Sequence, residues 1–293
     1  MMLGSIIGNL DEIMYGVVAS TDIDQRIKDR VLQDGVERSK VLHCLLQPTE
    51  DDPVRHMSVK WQLYNTRDYV CLDTTGFMHF PSGERVGYCL THSIDFVMFP
   101  HFHNHSIDRG NRSICFFYRQ RTPSAVECYA RGFFDFETEM KCDPIFNRIA
   151  LRVIANQWLS YSRIAQLSQM KKLAWWMTEQ ATMNAKPRHP LSIRSGCTIC
   201  SKSMGRFASV KTCGICTGMI CSRCSKKKLM FVFDASTDSV VERSKCFCAR
   251  CIKAVSLSNA LGIARRKIRD DVPCQTTLVE CIQHRTPTDR MVT

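Results

Sequence analysis

The residues best suited to chemistry in this 293-residue chain are cysteines near its carboxyl end. Nine of the 17 cysteines fall between residues 197 and 251, and only Cys246 of these stands outside a C-x-x-C pair. The four pairs are Cys197 with Cys200, Cys213 with Cys216, Cys221 with Cys224, and Cys248 with Cys251. Two intervening residues let both sulfurs of a pair reach one ion at Zn–S distances of about 2.3 Å. The spacing predicts that the eight paired cysteines hold two zinc ions and that Cys246 is a free thiol.

Full sulfur coordination leaves no open position for water, so the predicted zinc ions are structural and not catalytic. The sequence contains no phosphate-binding glycine loop and no nucleophile elbow. His101, His103 and His105 alternate, but no nearby carboxylate or cysteine completes a metal site, which favours a polar surface loop. We therefore predict a non-enzymatic protein.

The charge is as unevenly spread as the cysteines. Residues 1–185 contain 20 Lys+Arg and 21 Asp+Glu, whereas residues 186–293 contain 20 and 7, so the net charge of +12 belongs to the last third. A basic surface suits an anionic membrane, an acidic protein or nucleic acid. Aromatic residues that could stack on bases are scarce in this part, which argues against nucleic acid.

The sequence also limits where the protein is expected to work. No uncharged apolar run approaches the about 18 residues that would cross a bilayer. Residues 1–10 are apolar but lack the basic leader of a signal peptide. Clustered cysteines without a secretory signal indicate metal ligands and not disulfides, so we expect a cytoplasmic protein.

Upstream of the cysteines, apolar residues alternate with polar ones in several segments. These are Met57, Val59, Trp61 and Leu63; Val70 and Leu72; Val86, Tyr88 and Leu90; Ile114, Phe116 and Tyr118; and Val126, Cys128 and Ala130. A period of two is typical of antiparallel strands with one face buried and one face in water.

The period then changes to that of a helix. Apolar residues recur every three to five positions from Pro144 to about Met177, which predicts an amphipathic helix of roughly 30 residues. A shorter helix is predicted from about Asp22 to Leu32, with Gly35 as its stop. The result is an α+β domain in which the long helix covers the concave face of a curved antiparallel sheet. The space between them is either a cavity for a hydrophobic ligand or a core filled by side chains, and the patterning favours the filled core.

The composition divides the chain into four parts. Pro187 and Pro190 interrupt any helical pattern and mark a linker. We predict a sheet-and-helix domain at 1–180, a linker at 181–196, a two-zinc finger at 197–255, and a basic, largely disordered tail at 256–293.

The cysteine spacing resembles that of FYVE-type zinc fingers. RING-type fingers usually carry a histidine ligand, and no histidine lies between residues 197 and 251. Three upstream phrases, Leu10-Asp-Glu-Ile-Met-Tyr-Gly16, Gly83-Glu-Arg-Val-Gly-Tyr88 and Lys171-Lys-Leu173, resemble proteins that join a START-like domain to a FYVE finger. The resemblance covers about residues 4–255.

This resemblance implies a fold and a set of ligands. The first domain would be a START-like helix-grip lipid-binding domain, N-terminally incomplete, with a hydrophobic lipid as its ligand. The finger would interleave its pairs. One zinc would be bound by Cys197, Cys200, Cys221 and Cys224, and the other by Cys213, Cys216, Cys248 and Cys251.

The motif that recognises phosphatidylinositol 3-phosphate in such fingers is degenerate in this chain. Residues 191–196 lack tryptophan and aspartate, Lys211 is the single basic residue before Cys213, and Cys246 stands where an arginine is usual. What remains is a basic surface that includes Lys202, Arg206, Lys211, Lys226, Lys227 and Lys228.

The resemblance places Arg206 and Phe207 where such fingers carry a membrane-inserting tip. We therefore predict contact of Lys202, Arg206, Phe207 and Lys211 with an anionic membrane surface or a phosphoinositide, peripherally on endosomal membranes. A solvated basic face with Phe207 packed in the finger is the equal alternative. The competing function is a protein–protein interaction module of the ubiquitin-ligase adaptor type.

Overall fold

One mixed but largely antiparallel sheet dominates the amino-terminal part of the chain. The computed structural model describes residues 1–65, 67–102, 106–135, 152, 154–184, 196–203 and 210–270. The sheet contains β1 (Met2–Ile7), β2 (Arg38–Leu46), β3 (His56–Tyr64), β4 (Arg67–His79), β5 (Arg85–Ser93), β6 (Asp108–Arg109), β7 (Asn111–Thr122) and β8 (Ala125–Asp135). The strand order is β1-β8-β7-β5-β4-β3-β2, and the short β6 runs parallel to β4 at one end.

The five alternating segments lie in β3, β4, β5, β7 and β8, so those strand predictions are confirmed. Their buried residues belong to two clusters: Phe116 in β7 packs with Trp158, whereas Trp61 in β3 packs with Phe99 and Phe102. Trp61 and Phe116 are each 3% exposed. The sequence analysis did not predict β1 and β2. In β1 the apolar residues do not alternate, and β2 contains two register shifts that break its period.

Two short helices connect β1 to β2. Helix α1 (Leu10–Val17) begins at Asn9, whose side chain accepts a hydrogen bond from the backbone N–H of Glu12. Helix α2 (Asp22–Leu32) begins at Thr21 in the same way and has the predicted bounds. It ends at Gln33 in the left-handed conformation, with φ of 53°, and not at the predicted Gly35. Both starts follow the usual capping chemistry.

The predicted long helix is divided, which corrects the expectation of one continuous helix. Residues 154–160 form a helix that we call α3, a 3-10 turn covers Tyr161–Arg163, and α4 covers Ile164–Asn184. The part of the prediction from 144 to 151 lies outside the described residues.

The first part of this helical region packs on the sheet, and Ile164 at the start of α4 joins the same core. The ring of Phe116 lies 6.4 Å from Trp158 and 4.3 Å from Tyr161, measured between ring centroids. Arg163 then donates to the carbonyl of Leu32, 2.9 Å away, at the end of α2. These contacts hold the 3-10 turn, and α4 continues against α1 and the cysteine-rich part of the chain.

The space beneath the sheet is filled by side chains, as the patterning favoured, and part of the filling is charged. A cavity of about 30 Å³ remains, which accommodates one or two waters. Lys60 crosses it, and its ammonium donates to Asp73 at 3.0 Å and to Gln25 at 2.9 Å. Burial opposes ionisation of Asp73, but the neighbouring Lys60 ammonium holds the pKa of Asp73 at about 2.

The cysteine-rich part, residues 196–257, is called the cysteine unit below, and the part up to residue 184 is called the sheet domain. The cysteine unit contains β9 (Lys211–Thr212), β10 (Met219–Ile220), β11 (Ser225–Asp234), β12 (Ser239–Cys248) and α5 (Ala249–Leu257). Its hydrophobic core is continuous with one face of α4: Leu167, Met170 and Leu173 join Phe231 and Phe247 in one cluster. The two predicted domains therefore share a core. Residues 181–184 of the predicted linker belong to α4, and 185–195 lie outside the described residues.

The predicted tail is corrected in its first part. Helix α6 (Ala260–Asp270) follows the cysteine unit, and its residues Ala260, Ile263 and Ala264 are buried against Tyr15 and its neighbours. Apolar residues at this spacing give one narrow buried stripe, with arginines on the opposite face. Residues 271–293 lie outside the described part. Among the helices that the structure describes, none combines the length and apolarity that crossing a bilayer requires.

Candidate metal centres and the surrounding surface

The eight paired cysteines form two tetrads. The first tetrad is Cys197, Cys200, Cys221 and Cys224, and the second is Cys213, Cys216, Cys248 and Cys251. Within each tetrad all sulfurs lie within 4.8 Å of one another. The Sγ atoms of Cys200 and Cys221 are 3.9 Å apart, and those of Cys216 and Cys248 are 4.0 Å apart. Sulfurs at the corners of a tetrahedron with Zn–S distances of about 2.3 Å would be separated by about 3.8 Å. The donors and their spacing fit a four-sulfur metal site in each tetrad.

The tetrads interleave along the sequence. The first uses pairs one and three and the second uses pairs two and four, which is the grouping that the FYVE resemblance implied. Cys246 belongs to neither tetrad. Its backbone carbonyl accepts a hydrogen bond from Gly214 at 2.8 Å, and this contact ties β12 to the second pair.

Local turns bring the two sulfurs of a pair together. In the first pair the backbone N–H of Ser201 donates to the carbonyl of Cys197, 2.8 Å away. In the second pair Thr217 donates to Cys213 in the same way, at 3.0 Å. Ser201 and Thr217 both have a positive φ, 56° and 54°. The repeated turn holds the two sulfurs of each pair on the same side, where both can bind the one ion of their own tetrad.

Backbone N–H groups point at three of the sulfurs. Cys221 donates to Cys197 Sγ at 3.4 Å, Cys248 donates to Cys213 Sγ at 3.3 Å, and Cys251 donates to Cys248 Sγ at 3.3 Å. The bond from Cys221 contributes most to lowering the pKa of the Cys197 thiol to about 6. The pKa of Cys213 falls to about 7, since the bond from Cys248 and other backbone bonds outweigh burial. Such bonds favour the thiolate, which is the form that binds metal.

In each tetrad, the thiol of the cysteine that comes last in the sequence resists ionisation. The neighbouring Cys221 sulfur raises the pKa of Cys224 to about 12, and burial raises that of Cys251 still further. Several thiolates in one tetrad repel each other, so all four ionise together only when a cation compensates them. A site that binds a metal ion through four thiolates is expected to show this coupling between ionisation and metal binding.

Two consecutive lysines of α4 join the surrounding helices. Lys171 donates to the carbonyls of Tyr15 at 3.1 Å and Val18 at 2.6 Å, at the end of α1. Lys172 is completely buried, and its ammonium contacts Glu12 at 2.5 Å and the carbonyls of Ser256 and Ser258 at 3.1 Å each. In the sequence these lysines stand out only as part of a phrase shared with a family. The structure shows that they fasten α1 and α5 to α4.

The predicted membrane residues are only partly described. Lys202 is exposed, and Lys211 in β9 is half-buried. Arg206 and Phe207 lie outside the described residues, so the apolar tip stays a prediction.

A second basic surface lies in the middle of the hairpin formed by β11 and β12. Residues 226–229 and 242–245, called the basic ribbon below, are all exposed. They include Lys226, Lys227, Lys228, Arg243 and Lys245, against one acidic residue, Glu242. Lys228 lies directly opposite Lys245 in the strand register, an arrangement of like charges that destabilises a strand pair. Only the register could show this juxtaposition, because the two lysines are 17 positions apart in the sequence.

Comparison with known proteins gives structural similarity without sequence similarity. No protein-family model matches the chain, and no curated protein sequence matches it. Human StAR-related lipid transfer protein 5 is similar in structure with a TM-score of 0.39 and 12% identity, over 56% of this chain and 73% of that chain. The human StarD13 lipid transfer and protein localization domain gives 0.36 and 11%, over 54% and 74%. Human STARD10 gives 0.41 and 10%, over 62% of this chain and 66% of its own.

Proposed function

We propose that this chain is a non-enzymatic, zinc-stabilised protein that associates with anionic membranes. In this proposal a START-like helix-grip domain, residues 1–180, carries a FYVE-related finger, residues 197–255, with a degenerate phosphoinositide motif. The observation that carries the proposal is the pair of interleaved four-sulfur tetrads. These tetrads order a small unit whose outer surface includes the basic ribbon.

Zinc would supply folding free energy to the cysteine unit. Structural zinc contributes about 10–16 kcal/mol in isolated finger peptides at neutral pH. A segment of this size buries too little apolar surface to fold alone. The eight cysteines of the two tetrads would hold the ions, and their sulfurs would fill every coordination position.

The basic ribbon would supply the attraction to the membrane. Each lysine or arginine close to an anionic bilayer contributes about 1 kcal/mol, and the ribbon presents five such residues. The repulsion between Lys228 and Lys245 would be relieved by an anionic partner. Leu229, 48% exposed between the lysines, offers an apolar contact at the headgroup level. Lys202, Arg206, Phe207 and Lys211 keep the membrane role proposed from the sequence.

The affinity of the chain for membranes would depend on the charge of the membrane surface more than on the identity of one lipid headgroup. The degenerate motif offers few donors for a 3-phosphate, so anionic lipids in general would be bound. A hydrophobic lipid inside the sheet domain would need a larger space than the cavity of about 30 Å³ beneath the sheet. Membrane attachment does not depend on that ligand. The proposed location is the cytoplasmic side of endosomal membranes.

Vesicle sedimentation tests this proposal. Vesicles of phosphatidylcholine alone and vesicles containing phosphatidylserine are mixed with the zinc-loaded chain at low and high salt. We expect sedimentation only with the anionic vesicles, weakened by salt. The variant Lys227→Glu/Lys228→Glu/Lys245→Glu should stay in the supernatant, and Phe207→Ala should sediment less.

The matched control has the same change of net charge. Lys40→Glu/Arg55→Glu/Arg131→Glu reverses three exposed basic residues of the sheet domain. This control should sediment like the wild type. If the wild type stays in the supernatant with anionic vesicles, or if both triple variants behave alike, the proposal is wrong. If the wild-type chain does not sediment with vesicles but captures an acidic protein, the protein-interaction function is favoured.

A further inference from the structure

A groove of about 350 Å³ lies where α1, α2, α4, α6 and β11 meet. Its apolar lining includes Tyr15, Val18, Ile27, Met170, Trp175 and Phe231. The volume falls within the range of ligand pockets, about 300–1,000 Å³, and such pockets often occur where domains meet. This groove is separate from the small charged cavity beneath the sheet. Phe231 belongs to the cysteine unit, so both parts of the molecule are needed to form it.

One end of the groove is basic. Lys171 lies in the lining, and the described residues provide its ammonium with two carbonyl acceptors, those of Tyr15 and Val18. An ammonium has three donors, and this one also lies 5.4 Å from the centre of the Tyr15 ring and interacts with Asp24. A ligand at this end would take the third donor. Lys267 on α6 reaches the same region, where its ammonium lies 3.6 Å from Asp24. Burial lowers the pKa of Lys171 to about 8, and an anionic ligand would offset that cost.

Three carboxylates, Asp24, Glu179 and Asp270, also line the groove. Asp24 already faces Lys267, and burial of Asp24 is outweighed by the nearby lysines, which lower its pKa. Glu179 lies eight residues beyond Lys171 on α4, or about 12 Å along the helix. Asp270 is exposed at the end of α6. Among the described residues, Lys171 and Lys267 are the two cations of the lining, and an anionic head placed between them would meet both.

We propose that this groove binds a small anionic amphiphile. The apolar body would lie against Trp175 and Phe231, and the head, a carboxylate or a phosphate, would lie at Lys171 and Lys267. This ligand site is additional to membrane attachment and does not depend on the basic ribbon. It requires only that the cysteine unit is folded.

The experiment uses the zinc-loaded full chain and the fluorescent anion 1-anilinonaphthalene-8-sulfonate. Decanoate, decyl phosphate and the uncharged decanol are then compared as competitors. We expect saturable fluorescence and displacement by decanoate or decyl phosphate, with decanol about tenfold or more weaker, because it lacks the charge that Lys171 would bind. The better of the two anionic competitors identifies the head as a carboxylate or a phosphate.

Two variants and one control locate the site. Ala174 is exposed and lines the groove, so Ala174→Trp should fill it without disturbing a core and should weaken displacement at least about tenfold. Lys171→Met should weaken binding of the anions but not of decanol. Gln166→Trp adds the same side chain to an exposed position of α4 outside the groove and should bind like the wild type.

The proposal is overturned if no competitor displaces the probe, if Ala174→Trp binds like the wild type, or if decanol competes as well as decanoate. Circular dichroism of each variant verifies folding. Vesicle sedimentation of Ala174→Trp should remain normal, so a failure of this inference can be told apart from a failure of the membrane proposal.

Discussion

The sheet domain and the cysteine unit differ in what occupies their interiors. Beneath the sheet, large side chains such as Phe116 and Tyr118 pack together beside a largely buried charged network around Lys60 and Asp73. In the cysteine unit, two tetrads of sulfurs adjoin a small apolar cluster that includes Met230 and Phe247. The larger domain can bury enough surface to be stable without metal, whereas the smaller unit cannot. Helix α4 serves both, because Ile164 packs in the core of the sheet domain and Leu167 and Leu173 pack against the cysteine unit.

Metal removal should separate the two regions most clearly. A strong zinc chelator should unfold the cysteine unit, with a loss on the order of 10 kcal/mol, while the sheet remains folded. Elemental analysis should give two zinc ions per chain before treatment, one for each tetrad. Hydrogen exchange should then show rapid exchange in β9–β12 and slow exchange in β3–β5.

Single cysteine changes sharpen this test. Cys251→Ser should leave about one zinc per chain, whereas Cys246→Ser, outside both tetrads, should keep two. A purified protein without zinc, or one that loses it with no change in hydrogen exchange, would contradict the assignment. Acid should release the metal, because protons compete with it for the thiolates.

A matched pair of phenylalanines compares the two cores. Phe116→Ala in the sheet domain and Phe247→Ala in the cysteine unit remove the same side chain from buried sites, 3% and 0% exposed. Each should lower the free energy of unfolding of its own region by about 3–5 kcal/mol. Only Phe247→Ala should weaken zinc affinity, measured with a competing chromophoric chelator. Equal zinc affinities in the two variants would mean that metal binding and core packing are independent.

Removing the contacts of Lys172 should lower the free energy of unfolding somewhat less than the phenylalanine changes do. Lys172→Met leaves Glu12 near the interface without its cation, and breaking a buried ion pair costs about 3 kcal/mol or more. Chemical denaturation of the zinc-loaded protein measures this loss. The double variant Lys172→Met/Glu12→Gln should recover part of it, because no uncompensated charge remains. A double variant no more stable than Lys172→Met would show that the lysine acts through the carbonyls of Ser256 and Ser258 instead.

The smallest expected effect concerns pH in the sheet domain. Burial and, second, Asp34 raise the pKa of Asp29 to about 7. The folded protein therefore holds a proton that the unfolded chain releases above about pH 4. Unfolding then releases protons, so this group's contribution to stability is complete below pH 4 and is lost as pH rises through 7.

Asp29→Asn should flatten that pH dependence. Thermal melting between pH 5 and 8, with zinc kept in excess, measures the difference between variant and wild type. Asp34→Asn provides the comparison, because the pKa of that carboxyl is also raised by burial. An unchanged slope in Asp29→Asn would show that Asp29 is already ionised in the folded protein at pH 5.

Local patterns predicted much of this molecule. Alternation located five strands, apolar spacing located α2, and the C-x-x-C pairs indicated which cysteines come together. Each of these signals lies within a short stretch of sequence, where side-chain periodicity or turn geometry acts directly.

Features that depend on distant contacts were not predictable. The break at 161–163 is held by Arg163 at the end of α2 and by Phe116 in β7. Helix α6 has a narrow stripe of alanines and isoleucine that becomes a core only against Tyr15. The groove draws on five separate elements, so no single stretch of sequence indicates it.

The shared face of α4 has a consequence for synthesis on the ribosome. Leu173 emerges well before Cys251, the last member of the second tetrad, and at about 5–20 residues per second the interval is on the order of ten seconds. During that time Leu167, Met170 and Leu173 have no partner from the cysteine unit. Newly made chains that meet no zinc would keep this apolar face uncovered and would be prone to aggregate. The supply of zinc at the time of translation would thus set the yield of soluble protein.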